Sequence, residues 1–242
     1  MNVVAVIPAR MGSSRFPGKP LAPILGRPML QWVYEGTRAC PLLAETIVAT
    51  CDEEIATAAR AFGAKVAMTS PRHERASDRV AEAARDLNAD AVVMVQGDEP
   101  MVTPRMVEAA IAPLRDRRVL CTNLSSVIEN VEAFLDPNTI KVVTDASGNA
   151  LYFSRSPIPL SRDGFRSGIA YRQICVIGFQ ADFLQEYARL DPTPLEQAES
   201  IDMLRILEHG RHVRIVPITS AACPVDTPAD LERVERLLVQ PR

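Results

Sequence analysis

Residues 3–21 read VVAVIPARMGSSRFPGKPL. Val3 to Ile7 is a β-branched apolar run without polar alternation, the pattern of a strand buried on both faces in a parallel sheet. It empties into a loop holding Arg10, Arg15 and Lys19, with Gly12 and Gly18 and no acidic residue among them. In open α/β folds ligands collect in the crevice at the carboxyl ends of strands. Glycines let backbone amides approach a guest closely, and uncompensated cations attract an anion, so the guest this loop suits is phosphate. Neither the GxxxxGK[ST] spacing nor GxGxxG is present.

The rest of the chain repeats the opening strand. Helical spacing over Met29 to Arg38 is followed by strand-like Thr46 to Thr50, then a helix over Glu53 to Phe62 that Gly63 closes. Lys65 to Met68 reads as a strand, Ser77 to Leu87 as an amphipathic helix, and Ala91 to Val95 as a second doubly buried strand. Pro104 to Arg115 predicts a helix and Val119 to Thr122 a strand. Strands alternating with helices imply an α/β fold with a mostly parallel sheet and right-handed crossovers. Beyond residue 140 the rhythm changes. Lys141 to Thr144 and Ala150 to Ser154 predict a hairpin around Ser147-Gly148, and the Pro/Ser/Arg-rich segment from Ser156 to Arg172 reads as an extension. Gln173 to Phe179 predicts a strand, Ala181 to Arg189 and Ser200 to His209 helices, and Val213 to Pro217 a strand. A last helix begins after Asp226, with Thr227 as N-cap and Pro228 at its first position.

Composition narrows the functional classes. The 242 residues carry a formal charge of −3, which gives no global attraction for nucleic acid or anionic membrane. The expectation is a single domain over 1–242 in the cytoplasm, with no apolar stretch of bilayer length and no secretion signal. Five dispersed cysteines, none in a CxxC or Cys/His cluster, argue against disulfides and zinc.

Two carboxylate positions complete the candidate chemistry. Asp98 follows the Ala91 to Val95 strand in VQGDEP, and Asp226 lies in VDTP. Alone, a basic Gly/Pro loop is a solvated turn and an Asp-Glu pair is a turn or helix cap. Together, two hard oxygen ligands beside a phosphate cradle suit Mg²⁺, which takes one or two carboxylates and completes its shell with water and substrate phosphates.

The string IPAR…SRFPGKPL resembles the signature of the sugar-activating nucleotidylyltransferases, in particular the 3-deoxy-manno-octulosonate (Kdo) cytidylyltransferases. VQGDEP, DPNTIKVV (136–143), ALYFSR (150–155), PIP (157–159), PLE (194–196) and VDTPADLERV extend the resemblance, in order, over nearly the whole chain. It implies a nucleotidylyltransferase fold of Rossmann-like type, an inserted arm over about 145–180 that pairs two chains into a homodimer, and CTP as donor. It implies catalytic roles for Arg10, Lys19, Asp98 and Asp226, with Mg²⁺ on the two aspartates. Ala9, Arg10, Gly12, Arg15, Lys19, Met68, Ser77, Arg79 and Asp98 would hold CTP. Lys141 and Arg155, in matching motifs, would hold the acceptor acid, and Gln96, Arg75 and Gln173 are the other residues expected to face it. An acceptor already ionised at neutral pH needs no dedicated general base, in keeping with a chain of only three histidines.

Three departures from the family pattern bear on the acceptor. Arg75-Ala76 stands in HERASDR where the family has Ser-Gly, Arg172-Gln173 where it has Arg-His, and Asp202-Met203 where it has Glu-Gln. Lost hydroxyl partners and a gained arginine fork point to a smaller, more anionic acceptor, a phosphonate such as phosphonoformate ahead of Kdo. The reading from another class is a nucleotide sensor without catalysis, which the presence of both Asp98 and Asp226 disfavours.

Overall fold

The computed structural model describes residues 1–12, 16–219 and 223–239. Strand β1 (Val3–Pro8) leads through a 3-10 turn at Lys19–Leu21 and a small hairpin, β2 (Pro23–Ile24) and β3 (Arg27–Pro28), to helix α1 (Met29–Arg38). β4 (Leu43–Thr50), α2 (Glu53–Ala61), β5 (Lys65–Met68), α3 (Ala76–Ala84), β6 (Ala91–Val95) and α4 (Pro104–Ile111) continue the alternation. After a 3-10 turn at Ala112–Arg115 come β7 (Cys121–Val127), α5 (Val131–Leu135), the hairpin β8 (Lys141–Thr144) and β9 (Ala150–Ser154), and β10 (Tyr171–Gln180). The chain closes with α6 (Ala181–Tyr187), α7 (Pro194–Glu199), α8 (Asp202–Glu208), β11 (Arg214–Pro217) and α9 (Pro228–Val239).

The sheet has the path β11-β7-β10-β6-β1-β4-β5, with β8 and β9 attached at β10. β1 pairs parallel with both β4 and β6, and β4 with β5, as the alternation predicts. β10 is the exception, antiparallel to β6 and to β7. The expected arm therefore ends earlier than residue 180: residues 171–180 form a strand in the middle of the sheet, because Val176, Ile177 and Phe179 are buried there. The irregular stretch before it carries Leu160 at 92% exposure.

Double burial of β1 and β6 is literal. Val3 and Ile7 of β1, with Ala91, Val93 and Val95 of β6, pack on α1, α2 and α4. Val4 and Val6, with Val92 and Met94, pack on α3, α6 and α8. A sheet covered by helices on both faces leaves only its strand ends open to ligands. From β1 the chain winds outward to β4 and β5, then returns to place β6 on the other side of β1. That reversal makes β1 and β6 the topological switch point, and the loops after them diverge into a crevice.

Local signals account for most boundaries. Thr103 accepts from the Met106 amide and Pro104 starts α4, as N-cap chemistry dictates. Thr227 and Asp230 close a reciprocal cap on α9: the Thr227 amide donates to Asp230 Oδ2 at 2.8 Å and the Asp230 amide to Thr227 Oγ1 at 3.3 Å. Helix α7 forms where the sequence shows only the PLE block, capped by Thr193 and Glu196.

Candidate active site

At the switch point the loops after β1 and β6 meet a cavity of about 300 Å³. Close approach is built in: a Cβ on Gly97 would stand 3.0 Å from the Pro8 carbonyl oxygen. Ala9, Arg10, Gly12 and Lys19 line the cavity from the first loop, Gln96 and Asp98 from the second, and Asp226 from the segment before α9. Arg15 lies outside the described residues.

Lys19 owes its place to Gly18, whose φ of 72° lies in the left-handed region and turns the chain into the 3-10 helix that begins at Lys19. The ammonium donates to Asp98 Oδ2 at 2.6 Å, to the Val225 carbonyl at 2.8 Å and to Asp226 Oδ1 at 3.4 Å. Burial works against the charge, but the Asp98 and Asp226 carboxylates outweigh it and hold Lys19 above its usual pKa. The Val225 amide donates back to the Asp98 carbonyl at 3.0 Å, bringing the two aspartate segments together. Two carboxylates already gathered around one cation are a donor set that fits Mg²⁺, with the Lys19 ammonium as the stand-in. Among the described residues no cluster of three His, Cys, Asp or Glu side chains could hold a metal, so other ligands would come from water and phosphate.

Two groups that the sequence does not single out support this half. Asp52 does not cap α2 with its side chain; its Oδ2 accepts from the Met11 amide at 2.8 Å and pins the first loop. Glu99 is buried behind Asp98, accepting from the Cys175 amide at 3.3 Å, while its Oε2 has no hydrogen-bond partner among the described residues. Burial, and then the Asp98 charge, push its pKa up to about 8, so the acid is held neutral.

The opposite wall comes from the loop before α3, from α3 and from α8: His73, Arg75, Ala76, Arg79 and Asp202, with Arg155 beside them. Arg79 is buried and donates to Thr69 Oγ1 and, at 3.5 Å, to Cys51 Sγ. Ser77 is fully buried under the wall and donates both its hydroxyl and its amide to Asp202 Oδ2, at 2.8 and 3.1 Å. Burial lifts Asp202 above its usual pKa against those two bonds.

Several expected site residues do other work. Lys141 is fully buried, and its ammonium donates to the carbonyls of Asp136, Thr139 and Arg155 at 2.9, 2.7 and 2.5 Å. Burial lowers its pKa. It fastens the β8–β9 hairpin and does not line the cavity. Gln173 is likewise absent from the lining and donates to Asn123 Oδ1 at 2.6 Å across β10 and β7. Met68 is 47% exposed at the end of β5, outside the lining. Met203 is fully buried in the core, 4.0 Å from Cys121 Sγ. Arg75 lines the cavity, but its three guanidinium nitrogens meet Glu196 Oε1 at 3.3 Å, the Glu196 carbonyl at 3.2 Å and Ser200 Oγ. Glu196 is itself gripped by Arg205 at 2.7 and 2.8 Å, and Arg205 reaches back to Asp78 at 2.8 Å. Arg155 donates to the Glu199 and Pro137 carbonyls at 2.7 and 3.0 Å.

Comparison with known proteins places this geometry. The model of a family described as cytidylyltransferase matches residues 4–215. The chain is 48% identical to the 3-deoxy-manno-octulosonate cytidylyltransferase of Geobacter metallireducens, over 97% of this chain and 96% of that protein. It is equally 48% identical to the enzyme of that name from Geobacter sulfurreducens, over 97% and 98% of the two chains. A solved structure of CMP:2-keto-3-deoxy-manno-octonic acid synthetase complexed with CTP superposes with a TM-score of 0.90 at 42% identity, covering 99% of both chains.

Proposed function

The chain belongs to the cytidylyltransferase family, and from that premise we propose that it transfers CMP from CTP to Kdo with release of pyrophosphate. The observation that carries the reading is end-to-end similarity to Kdo cytidylyltransferases. The paired aspartates at the switch-point cavity support it chemically. In the transfer a hydroxyl oxygen of Kdo, which unlike a phosphonate oxygen is not ionised at neutral pH, attacks the α-phosphorus and gives up its proton to solvent, and the bond from that phosphorus to the pyrophosphate oxygen breaks. Arg10 and Lys19 neutralise the triphosphate from the first loop, and Arg15 keeps the same sequence-based assignment. Asp98 and Asp226 would hold Mg²⁺, which when bound screens charge on the α-phosphate and the attacking oxygen. Asp202 and Gln96 accept and donate hydrogen bonds to acceptor hydroxyls, and Arg155 supplies a positive charge for its carboxylate.

The preference for a phosphonate loses its three supports. Arg75 spends its nitrogens on α7 and Ser200, Gln173 pairs with Asn123, and Met203 packs in the core. None is left as an added anion hook. The relatives support Kdo instead. Pairing of two copies through residues 145–170 is supported by the exposed Leu151 and Leu160.

The test is pyrophosphate release from CTP and Mg²⁺ with either Kdo or phosphonoformate. Kdo is expected to give kcat/KM about 100-fold above the phosphonate. Equal or greater turnover with phosphonoformate would overturn the acceptor assignment, and silence with both would leave a nucleotide-binding protein without catalysis.

A further inference from the structure

Lys19 belongs by position to the phosphate loop, yet its ammonium sits among the metal-site oxygens. Its three N–H groups have three acceptors, Asp98 Oδ2, Asp226 Oδ1 and the Val225 carbonyl, which is the full donor capacity of a lysine. The side chain is 13% exposed, and both aspartates are 24% exposed. A Mg²⁺ held by both carboxylates would require oxygens at about 2.1 Å from one point between them. An ammonium bonded to the same two carboxylates occupies that region, and two cations cannot share it without strong mutual repulsion.

We propose that Lys19 and a divalent cation compete for the Asp98–Asp226 pair, so that a nucleotide triphosphate, by drawing the ammonium onto its own oxygens, frees the aspartates for metal. This rests on the reading of the cavity as a CTP site. The flexible four-carbon stem of lysine allows the exchange, and the loop that carries it also carries Arg10, which lines the same cavity without touching the pair. Because coupling is reciprocal, metal on the aspartates also favours Lys19 on the phosphates, and nucleotide and metal enter cooperatively. Lys19 thus acts as a positioning residue for the metal pair in addition to contacting the donor.

The experiment titrates Mn²⁺ without nucleotide into the wild type and Lys19→Met, with free Mn²⁺ read by electron paramagnetic resonance. Lys19→Met should bind Mn²⁺ about tenfold tighter than the wild type, as removal of a directly competing charge requires, and adding Asp226→Asn should abolish the gain. Arg10→Met removes a cavity cation that does not touch the pair, and should leave Mn²⁺ affinity within about twofold. Equal affinities of the wild type and Lys19→Met would overturn the proposal. So would an Arg10→Met gain as large as that of Lys19→Met, which would mark a general field effect. If Lys19→Met melts below the working temperature, Lys19→Gln carries the same comparison. Separately, failure of the wild type to bind CTP by calorimetry would sink the nucleotide reading instead.

Discussion

The two walls of the cavity pair their charges in different places. On the wall built by the loops after β1 and β6 and the segment before α9, Arg10, Lys19, Asp98 and Asp226 all line the cavity, and Lys19 bonds both aspartates at its surface. Around α3, α7 and α8 the ionic groups are paired mostly behind the lining: Arg75, at the cavity, by Glu196 and Ser200, and, away from the cavity, Arg205 by Glu196 and Asp78 and Lys141 by three carbonyls. Residue type is therefore a better guide to which groups line the cavity on the first wall than on the second. The loops at the open edge of the sheet present their charges to the cavity. The opposite wall is a helix-packed surface whose ionic groups mostly satisfy one another.

The largest effect that sharpens this contrast is expected at Asp98. Asp98→Asn should lower kcat by about a thousandfold or more, the scale of lost electrostatic stabilisation in a transfer site, with the circular dichroism spectrum unchanged. Activity within tenfold of the wild type would remove the metal pair from the chemistry. Behind the other wall, Lys141→Met should appear as lost stability of about 3 kcal/mol, because buried carbonyls lose a charged donor, while the acceptor KM of the folded fraction stays within twofold. A raised KM at unchanged melting temperature would instead restore Lys141 to the acceptor site.

A smaller effect tests whether the first wall also hides a group. Glu99 titrates near 4.5 in an unfolded chain and at about 8 when folded. A raised folded value means the native state holds the proton more tightly, so the contribution is full below pH 4.5 and is lost as pH rises toward 8. Glu99→Gln should therefore melt increasingly higher than the wild type as pH goes from 5 to 8, measured by scanning calorimetry. A constant gap over that range would show that Glu99 has no such shift.

Much of the frame is legible in the residues because its signals are local. α1, β5, β6, β8 and β9 begin and end where spacing, Gly63 and Ser147-Gly148 predict, and the doubly buried β1 and β6 follow from uninterrupted apolar runs. Helices α5 and α7 escape because five or six residues are too short to display a periodicity. β10 is legible as a strand but not as an antiparallel one, since pairing partners are a tertiary property. Of the cavity lining, Arg10 and Asp98 could be read because they stand just past the ends of β1 and β6. Lys141 could not, because an ammonium spent on Asp136, Thr139 and Arg155 looks in sequence like one offered to a ligand. Asp202 was visible only as a departure from a family pattern; its place on the wall comes from Ser77, which grips it from 125 residues away.

The contact between Lys19 and the two aspartates also has a meaning for assembly. It joins positions 79 and 207 residues apart, so no fragment of the chain lacking residue 19 or residue 226 can form it. The last contributor is the least anchored. Of α9 only Val234 is fully buried, in a small cluster with Ile24, Met29, Cys223 and Val225. Segments with so little buried apolar contact open at lower free energy than the core. Gentle heating or brief proteolysis should thus strip Asp226 from the site while the central strands stay protected from hydrogen exchange, and activity should fade before the molecule melts.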